Sequence, residues 1–495
     1  MKYISTRDTR NNPVSVSSAQ AIKKGLAPDG GLYIPESFPT LSDADIHALL
    51  AMNYEETAAF ILSRFLDDYD PAGLASDAAA AYSEEKFPGG AAPVHALRDG
   101  IFSLELWHGP TCAFKDMALQ IMPRLLSRAM KMTNEDKTVH ILVATSGDTG
   151  KAALEGYRDV EGVKITVFYP DEGVSRMQKL QMQTTLGSNV YVAAVRGNFD
   201  DTQNGVKEIF SSQELAKKAE EAGKVFGSAN SINWGRLAPQ IVYYVYSYCE
   251  LVRRGEITLG ESVNIAVPTG NFGNIFAAYI ARTMGIPVSR LICASNSNNV
   301  LTDFINTGVY DRTREFYKTV SPSMDILISS NLERLLFVLG GSKMTSSLMA
   351  QLKESGKYTA SEEVMSALRG VFSGYYMNED ETIAEIKRSW EEENYLIDAH
   401  TAVGLGCVRK YRAETGDTTK VILASTASPY KFAPAVADAV GIAHDGDEGI
   451  FALLDTLSEK TGTPVPAPLA SVNSLPVRFT DVIDKEEMPE AVFRT

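Results

Sequence analysis

SVNIAVPTGNFGNIFAAYIARTMGIPVSRLICAS, residues 262–295, runs from a short apolar strand through a glycine-bearing turn into a helix and back to an apolar strand. A strand, a crossover helix and a second strand are the unit from which parallel sheets are built. The same alternation precedes it. VHILVA (139–144) leads into TSGDTGKAALEGYR (145–158), VKITVFYP (163–170) into SRMQKLQMQTTL (175–186), and VYVAAVRG (190–197) into FDDTQNGVKEIF (199–210). Near-continuous apolar strands alternating with helical runs predict an α/β fold, with open, mostly parallel sheets covered by helices on both faces. In such sheets ligands bind outside the carboxyl ends of the strands, so the turns after these strands are the places to look.

Around this centre the chain changes character. The first 90 or so residues read as a small helical, acidic module after a short start, and EKFPGGAAPVH (85–95) reads as a boundary. The proline-rich tail from TGTPVPAPLA (461–470) is expected to wrap the surface. The expected organisation is therefore a module over 1–92, a two-lobed α/β region over 93–460 with the smaller lobe roughly at 130–225, and a wrapping tail over 461–495.

The 495 residues carry 47 Lys and Arg against 62 Asp and Glu, a formal charge of -15, with no basic run of the kind that binds nucleic acid. Cys112, Cys249, Cys293 and Cys407 show neither metal-ligand spacing nor a disulfide framework, and the six histidines offer no metal site. The start MKYISTRDTRNN lacks the apolar core of a signal peptide, and no apolar run has the length of a membrane span. A soluble protein of the reduced cytoplasm is expected, with neither nucleic acid nor membrane as partner.

Five stretches could carry chemistry. In HGPTCAFKDMALQ (108–120), Lys115 stands at the start of an amphipathic run. It is either an exposed first-turn cation or, given Cys112, Ala113 and Phe114 beside it, a buried amine, and a buried amine holds its proton less firmly and becomes nucleophilic. Pro123 should bend or interrupt the helix that follows. PTGNFGN (268–274) places Gly270 and Gly273 in a strand-to-helix turn, where backbone amides can converge on a phosphate; the same turn is also common architecture. ATSGDTGKAA (144–153) either receives a carboxylate at a helix start or simply caps that helix through Ser146, Asp148 or Thr149. SANSINWGRLAPQ (228–240) gathers Ser231, Asn233 and Arg236 ahead of an apolar helix, and could grip an anion or be a solvated helix start. LASTASPYKFAP (423–434) ends a strand in hydroxyls that could face the same crevice. His108 is expected to be structural.

Taken in order, YISTRDTRNNPVSVSSAQAIKKGLAPDGGLYIPE (3–36), GPTCAFKDMALQ, ATSGDTGKAA, SANSINWGR, PTGNFGN and TASPYKF resemble the threonine synthase family, of the fold type II class of pyridoxal-phosphate enzymes, over nearly the whole chain. The resemblance implies pyridoxal 5'-phosphate as cofactor and Lys115 as its Schiff-base lysine and the catalytic residue. It implies that Gly270, Asn271, Phe272, Gly273 and Asn274 hold the cofactor phosphate and that Thr426 faces the ring nitrogen. It further implies a substrate, O-phospho-L-homoserine, whose carboxylate meets Ser146, Gly147, Asp148 and Thr149 and whose phosphate meets Asn233 and Arg236, with Ser231. No metal is implied, and a monomer or homodimer is expected. Asp148 stands where relatives of other specificity carry Asn. Since a carboxylate there would repel a bound carboxylate, it is expected to turn away, to pair with Lys151 or to accept from the cofactor's ring hydroxyl. A threonine or serine dehydratase of the same fold and a non-catalytic relative that binds the cofactor are the rival readings. A nucleotide-binding protein using GNFGN lacks an acidic ribose partner.

Overall fold

Thr138–Ala144, Val163–Pro170 and Val190–Val195, three of the runs read above as strands, lie side by side in one sheet. They and the rest of the chain are described here from a computed structural model. It describes every residue except Ser146, Gly173, Asp447, Glu448 and Thr495, together with all side chains but those of Phe199 and Asp200.

In chain order, β1 (Tyr3–Ser5) and β2 (Tyr33–Pro35) form an antiparallel pair in the amino-terminal module, which also holds helices Ser18–Lys24, Asp43–Leu49, Tyr54–Phe65 and Pro71–Ala81. β3 (Val94–Ala96) and β4 (Ile101–Glu105) open the larger lobe. The smaller lobe holds β5 (Thr138–Ala144), β6 (Val163–Pro170), β7 (Val190–Val195) and β8 (Lys224–Gly227). The chain then returns to the larger lobe with β9 (Val263–Pro268) and β10 (Val288–Ser295), and adds a separate antiparallel pair, β11 (Val309–Asp311) with β12 (Lys357–Thr359). β13 (Phe372–Tyr376) and β14 (Val421–Ser425) follow, and β15 (Val482–Ile483) lies in the tail.

The larger sheet has the order β13-β10-β9-β14-β4-β3, parallel except for its edge strand β3. The smaller sheet is parallel throughout, in the order β15-β7-β6-β5-β8. The tail therefore does more than wrap: β15 is a strand of the smaller lobe. β5, β6, β7, β9 and β14 are almost wholly buried, as strands covered on both faces must be, which is why they read as unbroken apolar runs.

One helix joins the parts. Trp234–Arg253 packs against Tyr54–Phe65 of the amino-terminal module, against Asp116–Leu119 behind Lys115, and against Gly273–Thr283 behind the glycine turn. Trp234 is fully buried and sets its ring edge-on to Tyr3, 5.5 Å away, and 5.7 Å from Phe65. The amino-terminal module is thus part of the core that positions the lysine segment.

Helix Asp148–Tyr157 approaches the lysine segment just as closely. A β-carbon on Gly156 would lie 1.9 Å from the carbonyl oxygen of Leu119, a backbone atom that cannot swing aside. In an open helix Gly→Ala gains about 1 kcal/mol, but here the backbone must move, and overpacking of this kind costs about 1–3 kcal/mol or more. Gly156→Ala is therefore expected to lower the melting temperature and to reduce activity by displacing Asp116–Leu119. A higher melting temperature in a thermal scan would contradict the close approach.

Candidate active site

The segment before Lys115 is bent by Cys112, whose φ of 57° lies in the left-handed region that side chains other than glycine seldom adopt. The end of β14 holds it there. Phe114 N–H donates to Thr426 O at 2.8 Å, Ser428 N–H donates to Cys112 O at 3.1 Å, and Ala113 and Ala427 form a single antiparallel bridge. Lys115 and Thr426, far apart in sequence, are neighbours through these bonds. Lys115 stands immediately before helix Asp116–Leu119, and the amphipathic run breaks at Gln120 and Ile121. Pro123 falls in the first turn of the second helix, Met122–Met132, where its missing N–H costs nothing, so the expected interruption is present.

The Lys115 side chain is only 11% exposed, which decides between the two readings of this residue. Its Nζ lies 3.3 Å from Asp148 Oδ2 and 3.3 Å from Ser323 Oγ. Burial pushes the amine below its ordinary proton affinity; Asp148 works against this, and the charges of Lys431 and Arg236 push the same way as burial. Beside it Asp116 turns its carboxylate back to accept from Thr111 N–H and Thr111 Oγ1, both at 2.8 Å, and burial pushes it up to about 6. Burial also pushes the Cys112 thiol up to about 12, which leaves it unreactive.

Asp148 does not pair with Lys151, which instead donates to Glu155 and Thr185, both at 3.1 Å. Its carboxylate turns inward. Oδ1 meets Lys431 Nζ at 3.1 Å and Gln178 Nε2 at 2.9 Å, while Oδ2 meets Lys115 and accepts from Ser323 Oγ at 3.1 Å. Burial alone would raise its proton affinity, but the two lysines and Gln178 outweigh burial and hold it far below the ordinary carboxylate range. Asp148 therefore does not cap its own helix. Thr145 Oγ1 serves the turn, accepting from Gly147 N–H and Gly150 N–H at 3.0 Å. Gly147 has a φ of 148° and would press any side chain onto Gln178. Thr149 is half-buried at the helix start, and Ser146 lies outside the described residues.

The glycine turn reaches the same place from β9. Gly270 packs so tightly that a β-carbon would meet Ser323 O at 3.1 Å and Met324 Cα at 3.3 Å, and Ser323 is the residue whose hydroxyl touches Lys115. Phe272 adopts a φ of 64° and ends the turn, and the first bond of helix Gly273–Thr283 runs from Phe276 N–H to Phe272 O. The amides of Gly273, Asn274 and Ile275 are thus the helix's first-turn donors. Tyr243 and Tyr244 both donate to Asn274 Oδ1, the first at 2.8 Å, and leave the buried Asn274 Nδ2 without a partner. The Asn271 carbonyl is taken by Asn331 N–H at 3.0 Å.

Of the residues in 228–236, Asn233 is committed to the fold. Its Nδ2 donates to Ile22 O at 2.9 Å, and its Oδ1 accepts from Gly235 N–H at 2.9 Å. Ser231 Oγ faces Asn331 Nδ2 at 3.5 Å. Arg236 is different: it is 4% exposed, its Nη1 donates to Ala229 O at 2.6 Å, and its buried Nε has no partner. Burial pushes the guanidinium down to about 10, so it stays charged at neutral pH with no carboxylate bonded to it among the described residues. His108 bonds Glu105 at 2.6 Å and stacks on Trp107, a structural placement.

Three family descriptions match the chain: "Threonine synthase N terminus" over residues 2–82, "Pyridoxal-phosphate dependent enzyme" over 91–426 and "Threonine synthase, C-terminal" over 401–492. The chain belongs to the threonine synthase family. Among its relatives, threonine synthase of Pseudomonas aeruginosa is 40% identical over 446 residues, covering 88% of this chain and 90% of that protein. Threonine synthase-like 1 of Homo sapiens is 38% identical over 457 residues, covering 89% of this chain but 61% of the longer human protein. The chain thus spans about three fifths of the length of such curated relatives. A crystal structure of PLP-bound threonine synthase from Brucella melitensis superposes with a TM-score of 0.87 at 35% identity, covering 99% of this chain and 98% of that one.

The cofactor of the threonine synthase family fits the residues present. A phosphate needs converging donors, and the unpartnered Asn274 Nδ2 beside three first-turn amides, in a turn that a β-carbon at Gly270 would crowd, supplies them. An imine-forming amine must be able to lose its proton, and burial lowers the proton affinity of Lys115.

Sequence reading missed four members of this constellation: Ser323, Lys431, Gln178 and His400. His400 Nε2 accepts Ser323 N–H at 3.1 Å, while its Nδ1 faces Asp398, so it braces the serine that touches Lys115. Lys431 could have been found, since a lysine between Tyr430 and Phe432 repeats the apolar setting of Lys115 after Phe114. Ser323 could not, because only the folded chain brings its loop to Lys115.

Proposed function

We propose that this chain is a threonine synthase, converting O-phospho-L-homoserine and water into L-threonine and phosphate. The observation that carries the reading is Arg236, a buried guanidinium close enough to act on Lys115, whose Nε has no partner among the described residues: a donor suited to the second anion, the phosphate, of a substrate that also bears a carboxylate. A dehydratase acting on threonine or serine would have no second anion to place there.

Gly270, Asn271, Phe272, Gly273 and Asn274 would hold the cofactor phosphate, Lys115 would bind its aldehyde carbon and Thr426 would face the ring nitrogen. When bound, the pyridoxal ring supplies the sink for electrons released at the substrate's Cα, and a neutral hydroxyl at Thr426 leaves that ring unprotonated. Lys115 Nζ, freed when the substrate amine takes its place, would serve the removal of one proton from Cα and of a second from Cβ, as phosphate departs from Cγ. One proton would return to carbon at Cγ and the other at Cα, while water gives its hydroxyl to Cβ and its remaining proton to the departing phosphate. Such a shuttle needs an amine whose protonated and neutral forms are both accessible, which burial of Lys115 provides. Arg236 receives the substrate phosphate, and the turn Ser146, Gly147 and Thr149 receives the carboxylate, with Asp148 turned away from it towards the two lysines.

Four buried free thiols and the absence of any described helix long and apolar enough to cross a membrane suit a cytoplasmic enzyme. The test is to supply O-phospho-L-homoserine to the purified protein and to follow both products. Threonine and phosphate in equal amounts are expected. Conversion of threonine to 2-oxobutyrate without that reaction would favour the dehydratase.

A further inference from the structure

We propose that Lys431 is a positioning residue that acts through Asp148, sharing the carboxylate so that the Lys115 amine is not locked into a two-membered buried ion pair. The proposal rests on the reading of Lys115 as the reacting amine. Lys431 is 1% exposed, and its Nζ makes two contacts, to Thr111 O at 2.6 Å and to Asp148 Oδ1 at 3.1 Å. A buried ammonium requires such partners, but a lone carbonyl could be satisfied by a neutral donor. What a neutral donor could not do is neutralise Asp148.

The carboxylate is divided between two sides. Oδ1 faces Lys431 and Gln178, and Oδ2 faces Lys115 and Ser323. Were Lys431 uncharged, Asp148 and Lys115 would form a one-to-one pair 3.3 Å apart in a largely buried site, and the proton would be held on Lys115. With Lys431 present, the negative charge is already balanced when Lys115 gives up its proton, so deprotonation does not strand a buried anion. Among the described residues the other charged and titratable groups facing the pair are Arg236, which adds positive potential at Lys115, His400, which faces Asp148 across Ser323, and the buried thiol of Cys112. Asp116 follows Lys115 directly, at the start of helix Asp116–Leu119, with its carboxylate turned to Thr111. Lys431 differs from all of these in touching Asp148 directly from the side opposite Lys115.

The discriminating variant is Lys431→Gln, whose amide can keep the bond to Thr111 O while the charge is lost. In the full-length protein freed of cofactor, labelling of Lys115 by a trace of acetic anhydride is followed as a function of pH by peptide mass. For Lys431→Gln the labelling midpoint should move to higher pH, with labelling at pH 7.5 at least about tenfold slower than in the parent. Lys431→Arg, which keeps the charge, should restore the parent midpoint. A role confined to bonding Thr111 O predicts no shift in Lys431→Gln, and an unchanged or lower midpoint would overturn the proposal. Should Lys431→Gln not fold, Asp148→Asn serves as the second variant: its midpoint should fall below the parent's, and an equal or higher one would overturn the proposal. Because labelling needs neither cofactor nor substrate, a chain that makes no threonine leaves this test intact.

Discussion

Lys115→Ala is expected to abolish threonine formation, lowering the rate by at least about a thousandfold. The magnitude follows from the number of roles lost together. One positioned acid or base contributes about 10²–10⁴-fold, and this amine is assigned both the covalent attachment of the cofactor and several proton transfers. The variant should still fold, since the side chain's bonds are two long contacts of 3.3 Å and its removal leaves Asp148 held by Lys431, Gln178 and Ser323. Borohydride reduction followed by peptide mapping gives an independent reading. The parent should carry the cofactor on the peptide containing Lys115, and the variant should carry none. Substantial residual turnover would remove Lys115 from the chemistry.

Arg236→Ala is expected to raise the Michaelis constant for O-phospho-L-homoserine about 10–100-fold while changing kcat little. Bonds to a charged group contribute about 1.5–3 kcal/mol each, and here a buried guanidinium with an unpartnered Nε has no carboxylate of its own to lose. That same imbalance predicts that the substrate-free variant is no less stable than the parent, because an uncompensated buried charge has been removed. A phosphate-binding role and a structural role therefore separate cleanly: the first raises the Michaelis constant at constant melting temperature, the second lowers the melting temperature. An unchanged Michaelis constant would take Arg236 out of the phosphate site.

The larger pattern of the fold was legible because its central strands are buried on both faces. β6 is the run VKITVFYP over Val163–Pro170 as read, and β9 begins one residue inside SVNIAVP, at Val263. Short edge elements were not legible. β15 is two residues long, and it is a strand only because β7 lies beside it. In the site, residues whose work is done within their own stretch could be read, such as Lys115 before its helix and Gly270 in its turn. Asp148 shows the limit. Lys151, one turn along the same helix, was the partner that spacing offered, yet Glu155 claims that lysine and Asp148 turns to Lys431. Spacing along a helix describes one face of it, whereas a buried carboxylate answers to whatever charge the rest of the fold delivers.

The position of β15 also sets a timetable for synthesis. Ala194 N–H on β7 and Arg196 N–H just beyond its end are met by Asp481 O and Ile483 O, each at 2.9 Å, and Tyr191 bonds Asp481 across 290 residues of chain. As the protein emerges from a ribosome, β5 to β8 are complete long before those partners exist, and β7 waits as an open edge able to recruit a strand from another nascent chain. Aggregation during expression should therefore be governed by how long that edge waits, and slowing translation after residue 227 should worsen it even where the finished protein is stable.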